Sequence, residues 1–139
     1  MHQIRQVIAV LFISVSLFSC AKTEKVLVKH DGEWNIDKQV TTTTTGGVST
    51  TETDTDYGVA TFNENGTGFI TYNDGTSDTF SWSVNDDIIS VTYDALATTV
   101  DYTIIDSSKD SQHWSGSYSG DIFGIPYVVD TEIWFSSLN

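Results

Sequence analysis

The stretch that decides the fold is Tyr57–Val84, YGVATFNENGTGFITYNDGTSDTFSWSV. It holds three short runs separated by Asn65-Gly66 and Asp74-Gly75. Both dipeptides supply the positive φ angles of tight hairpin turns. Within the runs the apolar residues alternate, as they must on a strand with one buried face. Ala60 and Phe62 share one face. Gly68, Ile70 and Tyr72 share a face of the next run, and Phe80, Trp82 and Val84 a face of the third.

The pattern continues toward the C-terminus. Asn85-Asp86 marks a turn, and Ile89, Val91 and Tyr93 follow at period two, then Val100, Tyr102 and Ile104. Ser107–Asp110 is a polar break. Gln112–Ser119 carries Trp114 and Tyr118, Gly120–Pro126 reads as a longer connection, and Tyr127–Phe135 as the last strand. No stretch has a helical period. On the N-terminal side, Gly32–Val40 (GEWNIDKQV) places Trp34, Ile36 and Val40 on one side of a strand, with Lys38 interrupting. Thr41–Asp56 (TTTTTGGVSTTETDTD) is low in complexity and reads either as a flexible loop or as a long hairpin turning at Gly46-Gly47.

Short strands at hairpin spacing, about eight in all, predict an all-β antiparallel barrel, or a β-sandwich as the alternative. The short connections after Tyr57 favour an up-and-down meander. Closure removes exposed edges, and a barrel of this size is either filled by side chains or holds one small ligand.

The chain has 139 residues, one domain's worth, and carries 19 acidic against 6 basic residues, a net charge of −13. The acids are spread along its length, which reads as a solvated surface. Such a charge repels nucleic acid, so nucleic-acid binding is excluded. The plentiful aromatics exclude disorder of the whole chain.

Val7–Phe18 (VIAVLFISVSLF) is apolar, follows Arg5, and is shorter than the roughly 20 residues that span a bilayer. It has the size of a signal-peptide core. It runs into Leu17-Phe18-Ser19-Cys20, which contains the chain's only cysteine. A lone cysteine cannot form an internal disulfide. The segment resembles the lipobox of bacterial lipoproteins. That resemblance implies cleavage before Cys20 and acylation of its thiol and new amine, which is enough for stable membrane anchoring. Ala21, where aspartate would favour inner-membrane retention, implies the outer membrane of a Gram-negative cell. Loss of Arg5 with the signal leaves 5 basic against 19 acidic residues, a net charge of −14. The expected organisation is a signal peptide at 1–19, a lipidated cysteine and tether at 20–31, and a barrel domain at 32–139.

A second resemblance concerns the domain. Gly32-Glu33-Trp34, Thr61-Phe62-Asn63-Glu64-Asn65-Gly66-Thr67, Ser81-Trp82-Ser83-Val84 and Ile89-Ser90-Val91 occur in an order similar to the lipocalin-like domains of small bacterial lipoproteins. The likeness covers most of Gly32–Tyr93. It implies a barrel, with Trp34 packing across one end, and it names no cargo.

Candidate sites are few. His113 neighbours Trp114, so alternation turns it outward if Trp114 points in, and His30 falls in the tether. With no second thiol or histidine cluster, no metal site and no cofactor are expected. Asp54, Asp56 and Asn63-Glu64-Asn65-Gly66 offer oxygen ligands of the kind calcium takes, but a hairpin fits the latter better than an EF-hand loop, and the two aspartates read as loop surface. No nucleophile or P-loop pattern is present, so no enzyme is expected. An envelope hydrolase would need converging acids or a serine–histidine pair. The aromatics Trp34, Phe62, Tyr72, Phe80, Trp82, Tyr93, Tyr102, Trp114 and Tyr118 all fit inward faces. Of these, Tyr72, Trp82, Tyr102 and Tyr118 offer the mixture of ring and polar atom that lines a ligand cavity. The expected function is therefore an anchored barrel binding a small, partly apolar ligand. The alternative is a filled barrel presenting its surface to a protein or glycan partner.

Overall fold

The computed structural model describes residues 23–138. The signal core, Cys20 and Ala21 lie outside the described residues. Eight strands follow in order: β1 (Glu33–Thr45), β2 (Val48–Phe62), β3 (Thr67–Tyr72), β4 (Ser77–Asn85), β5 (Ile88–Tyr93), β6 (Thr98–Ser107), β7 (Ser111–Ile122) and β8 (Ile125–Ser137). Each pairs antiparallel with the next, and β8 returns to β1 to close a barrel. The meander is as expected, and closure rules out the sandwich.

The turns explain the register. Gly66 (φ 82°) and Gly75 (φ 87°) occupy the left-handed region. In each turn the preceding Asx side chain fixes the threonine that follows. Asn65 Oδ1 accepts from the Thr67 amide at 3.1 Å and its hydroxyl at 2.6 Å. Asp74 Oδ1 accepts from the Thr76 amide at 2.9 Å and its hydroxyl at 2.6 Å.

Thr41–Asp56 is the long hairpin. β1 and β2 stay paired out to Thr45 and Val48 around Gly46-Gly47. Cross-strand hydroxyl pairs, Thr42 with Thr51 at 2.9 Å and Thr44 with Ser49 at 2.7 Å, tie its outer face. The longer connection expected at Gly120–Pro126 is instead a two-residue turn, Phe123-Gly124, with both residues at positive φ. Pro126 is tolerated because it lies beyond the last β1–β8 pair, Thr45 with Tyr127, where no ladder bond is demanded of it on that side.

The strands differ in length. β3 and β5 have 6 residues, whereas β1 and β8 have 13. β2 pairs with β3 only from Gly58 onward, and β7 pairs with β6 only up to Gly116. The outer halves of β2, β1, β8 and β7 therefore rise as a four-stranded wall above the opposite rim. Among the described strands none pairs with the free edge of β2 over residues 48–56.

One irregularity corrects the face assigned to Val40. The β1 register shifts between Ile36 and Lys38. Trp34 and Ile36 point in, but after this bulge the odd residues Gln39 and Thr41 face the interior while Lys38 lies over the Trp134 ring at 4.0 Å. Asp37 pins the bulge by accepting from Asn35 Nδ2 at 3.0 Å and from Ser136 Oγ of β8 at 2.8 Å.

The end of the barrel near Trp34 is filled. Phe62 stands at the centre of a ring cluster, with Phe80, Trp82 and Trp114 at centroid distances of 5.4, 5.5 and 5.8 Å. Each such side chain stabilises the fold by about 1.5–3 kcal/mol on burial. Residues 23–27, which fall in the segment expected to be a tether, form a helical turn that caps this end. Leu27 is fully buried and Val26 nearly so. The Trp34 indole N–H donates to the Leu27 carbonyl at 3.0 Å. Gly32 explains the Gly-Glu-Trp spacing: it sits at φ 70°, and a Cβ there would collide with the Phe62 carbonyl. On the other side of this end, Gln112 is buried. It accepts from Trp114 Nε1 at 3.3 Å and donates to the Ser108 carbonyl at 3.0 Å.

Trp34→Phe removes one indole N–H and leaves the Leu27 carbonyl without its partner. A loss of roughly 1–3 kcal/mol in denaturant unfolding is expected, with faster proteolysis near residues 24–29. Unchanged stability would show that the capping turn contributes nothing.

Candidate functional site: a tyrosine-lined cup

The opposite end is open. Its cavity, about 530 Å³, falls within the range of small-molecule sites. All six tyrosines of the chain line it: Tyr57, Tyr72, Tyr93, Tyr102, Tyr118 and Tyr127. No phenylalanine or tryptophan does. Gln39, Thr41 and Thr131 add polar groups, Ile70, Val100 and Val129 apolar ones, and Asp78 is the one charged side chain in the lining.

Strand geometry places these groups. Tyr72 and Tyr93 are the last residues of β3 and β5, and the Tyr93 ring reaches down to Phe80. Asp78 lies two and four residues before Phe80 and Trp82, so one face of β4 runs from the cup into the filled end. Tyr118 and Tyr127 sit on the wall, with their rings edge to face at 6.5 Å. Tyr102 is buried deeper, its ring packed over Gly116, where a Cβ would strike it. A further gap of about 30 Å³ lies below the cup and shares Gln39, Ile70 and Tyr93 with it.

The hydroxyls are organised. Tyr72 donates to Asp78 Oδ2 at 2.9 Å, and the Tyr93 and Tyr102 hydroxyls bond each other at 2.9 Å. The Tyr57 ring meets Tyr72 edge-on at 5.3 Å. Burial pushes the phenol pKa of Tyr57, Tyr72, Tyr93 and Tyr102 above the ordinary value of 10.0. The nearby carboxylates of Asp54 and Asp78 add to this for Tyr57, and the hydrogen bond to Asp78 adds to it for Tyr72. These phenols are neutral across the neutral range, and the Tyr72–Asp78 and Tyr93–Tyr102 bonds tie β3 to β4 and β5 to β6 inside the cup.

Of the four residues predicted to line a cavity, Tyr72, Tyr102 and Tyr118 come together in the cup. Trp82 does not. It belongs to the filled end, packed on Phe62, with its indole N–H donating to the Thr67 carbonyl at 3.0 Å. Alternation gives a side chain's face but not its depth. Tyr57, Tyr93, Tyr127, Gln39 and Asp78 also line the cup, beyond the residues that the sequence points to. Among the inward-facing rings the types are sorted, with the tyrosines around the cup and Trp34, Phe62, Phe80, Trp82, Trp114 and Phe135 in the packed core. Trp34 is buried at the filled end, with its indole N–H on the Leu27 carbonyl.

His113 points outward as its neighbour Trp114 points in. It stacks on Trp134 at 4.4 Å and lies 3.2 Å from Glu132. Asn63–Gly66 form the β2–β3 turn. Asp54 and Asp56 border an open groove beside Tyr57 and Tyr72. No group of three or more metal-ligating side chains occurs among the described residues.

No protein family, curated protein or solved structure matches this chain.

The raised phenol values fix the sign of an alkaline effect. A group whose folded pKa is raised contributes stability in full below its unfolded value and loses it as pH climbs further. Stability is therefore expected to fall above pH 10, the ordinary phenol value. Tyrosinate absorbance should lag that of the unfolded chain there and rise with loss of the near-UV dichroism. Titration of all six tyrosines at their free value in the folded protein would contradict the buried hydroxyl network.

Proposed function

We propose that this chain is a lipid-anchored envelope lipoprotein with a lipocalin-like barrel that holds a small, partly apolar molecule in its tyrosine cup. The observation that carries the reading is the cup itself. It is a cavity of about 530 Å³, open at one end and closed below by packed aromatics. Apolar walls with a few placed polar atoms are the usual make-up of such sites. The tyrosine rings offer large contact area at low conformational cost, and their hydroxyls fix orientation. The cup supports this reading over a filled barrel that works through its outer surface alone. The anchoring part rests on Leu17-Phe18-Ser19-Cys20 and on Ala21.

Native mass spectrometry on the protein purified from its own host tests the cup. A co-purifying small molecule is expected, lost when Tyr102→Ala and Tyr118→Ala are combined. A clean apoprotein that no apolar ligand stabilises in thermal-shift assays would sink the reading. Anchoring is tested separately, because Cys20→Ala should move the protein from the membrane to the soluble fraction. Identical fractionation of variant and wild type would show that the cysteine carries no lipid.

A further inference from the structure

We infer that the cup selects an organic cation, an ammonium group carried on a partly apolar body. This rests on the cup being a binding site and adds the chemical class of its ligand.

Three observations converge. The first is the charge of the lining, which holds the Asp78 carboxylate and no basic side chain. A buried anion would face that carboxylate with nothing to compensate its lost hydration, and burying an unpaired charge is costly. An ammonium group has a counter-charge already in place. Asp78 is partly buried and fixed by the Tyr72 hydroxyl, which occupies one of its oxygens and leaves the other.

The second is the surrounding rings. Tyrosine faces are negative at their centres, and a cation over such a face is attracted to it, more strongly when both are desolvated. Six tyrosines share the cavity lining with this one carboxylate, so rings and a counter-ion are offered within one site. For a fatty acid the same rings would supply hydroxyl donors but no positive charge.

The third is the distribution of charge over the whole barrel. The described lysines all lie away from the cup. Lys25 and Lys29 belong to the capping segment, Lys109 to the β6–β7 turn at that same filled end, and Lys38 lies on the outer wall over Trp134. The mouth carries acids instead. Asp54 and Asp74 border the groove beside Tyr57 and Tyr72, and Asp94 in the β5–β6 turn accepts from Thr79 at 2.5 Å. A concave site rimmed by one sign of charge concentrates ions of the other sign.

Three probes with the same chain length separate the possibilities: octyltrimethylammonium, 1-octanol and octanoate. Each is titrated into the purified protein by calorimetry, the two ions below their micelle concentrations and 1-octanol below its solubility limit. The cation should bind about tenfold more tightly than 1-octanol, octanoate should bind most weakly, and added salt should weaken only the cation. Asp78→Asn should remove most of the preference, the cation falling to within about twofold of 1-octanol measured on the same variant. If 1-octanol or octanoate binds as tightly as the cation, the inference falls and the cup reading stands. If none of the three binds, both fall. An Asp78→Asn protein that keeps the full preference overturns the role of Asp78. The wild-type comparison does not depend on that variant folding.

Discussion

The seam between β1 and β8 is the contact on which everything else depends. Without it the meander is an open sheet with two bare edges and no interior. The seam is unusually well specified. Its strands are the longest on that side of the barrel after β2, and they pair from Trp34 with Ser137 to Thr45 with Tyr127. Asp37 ties the bulge in β1 to β8 through Ser136. The bulge also has a steering role. It switches the inward set of β1 from Trp34 and Ile36, which close one end, to Gln39 and Thr41, which face the cup. One extra residue thus divides a single strand between the packed end and the open one.

The division of ring types follows from physics. Phenylalanine has no polar atom, and the N–H groups of Trp34, Trp82 and Trp114 each reach an acceptor inside the packing, so they can fill a closed end. Tyrosine brings a hydroxyl that must be satisfied, and at the open end it finds a carboxylate, another hydroxyl or water. Among the described residues no buried side-chain polar atom is left without a partner. The two ends meet where Tyr102 packs on Trp114 at 6.0 Å and Tyr93 on Phe80 at 6.4 Å. Movement of the cup is therefore resisted by the core beneath it.

Much of this was legible in the sequence. The turns at Asn65-Gly66 and Asp74-Gly75 and the alternation around them gave strands, order and meander, because turn chemistry and a period of two are local properties. The length of the first hairpin was not decidable, since threonine favours extended structure equally well in a loop and in a ladder. The turn at Phe123-Gly124 was hidden because phenylalanine is a poor signal for a left-handed position. The capping by residues 23–27 was hidden too: AKTEKVLVKHD has no clear period, and only the tertiary pocket beside Trp34 makes Leu27 a core residue. Trp82 was misplaced for a related reason. Depth along a barrel axis comes from register across several strands, and no single run encodes it.

The raised wall has a consequence for how copies of this molecule meet. Its outer strand, residues 48–56 of β2, offers an unpaired row of backbone donors and acceptors among the described strands. Such a row is a template for another chain. Along it lie Glu52, Asp54 and Asp56. When two molecules approach edge to edge, carboxylates on one edge confront carboxylates on the other, and the pairing that the backbone invites is refused by the side chains. The acidity near the cup thus also works as a spacer, opposing the joining of two copies into a common sheet.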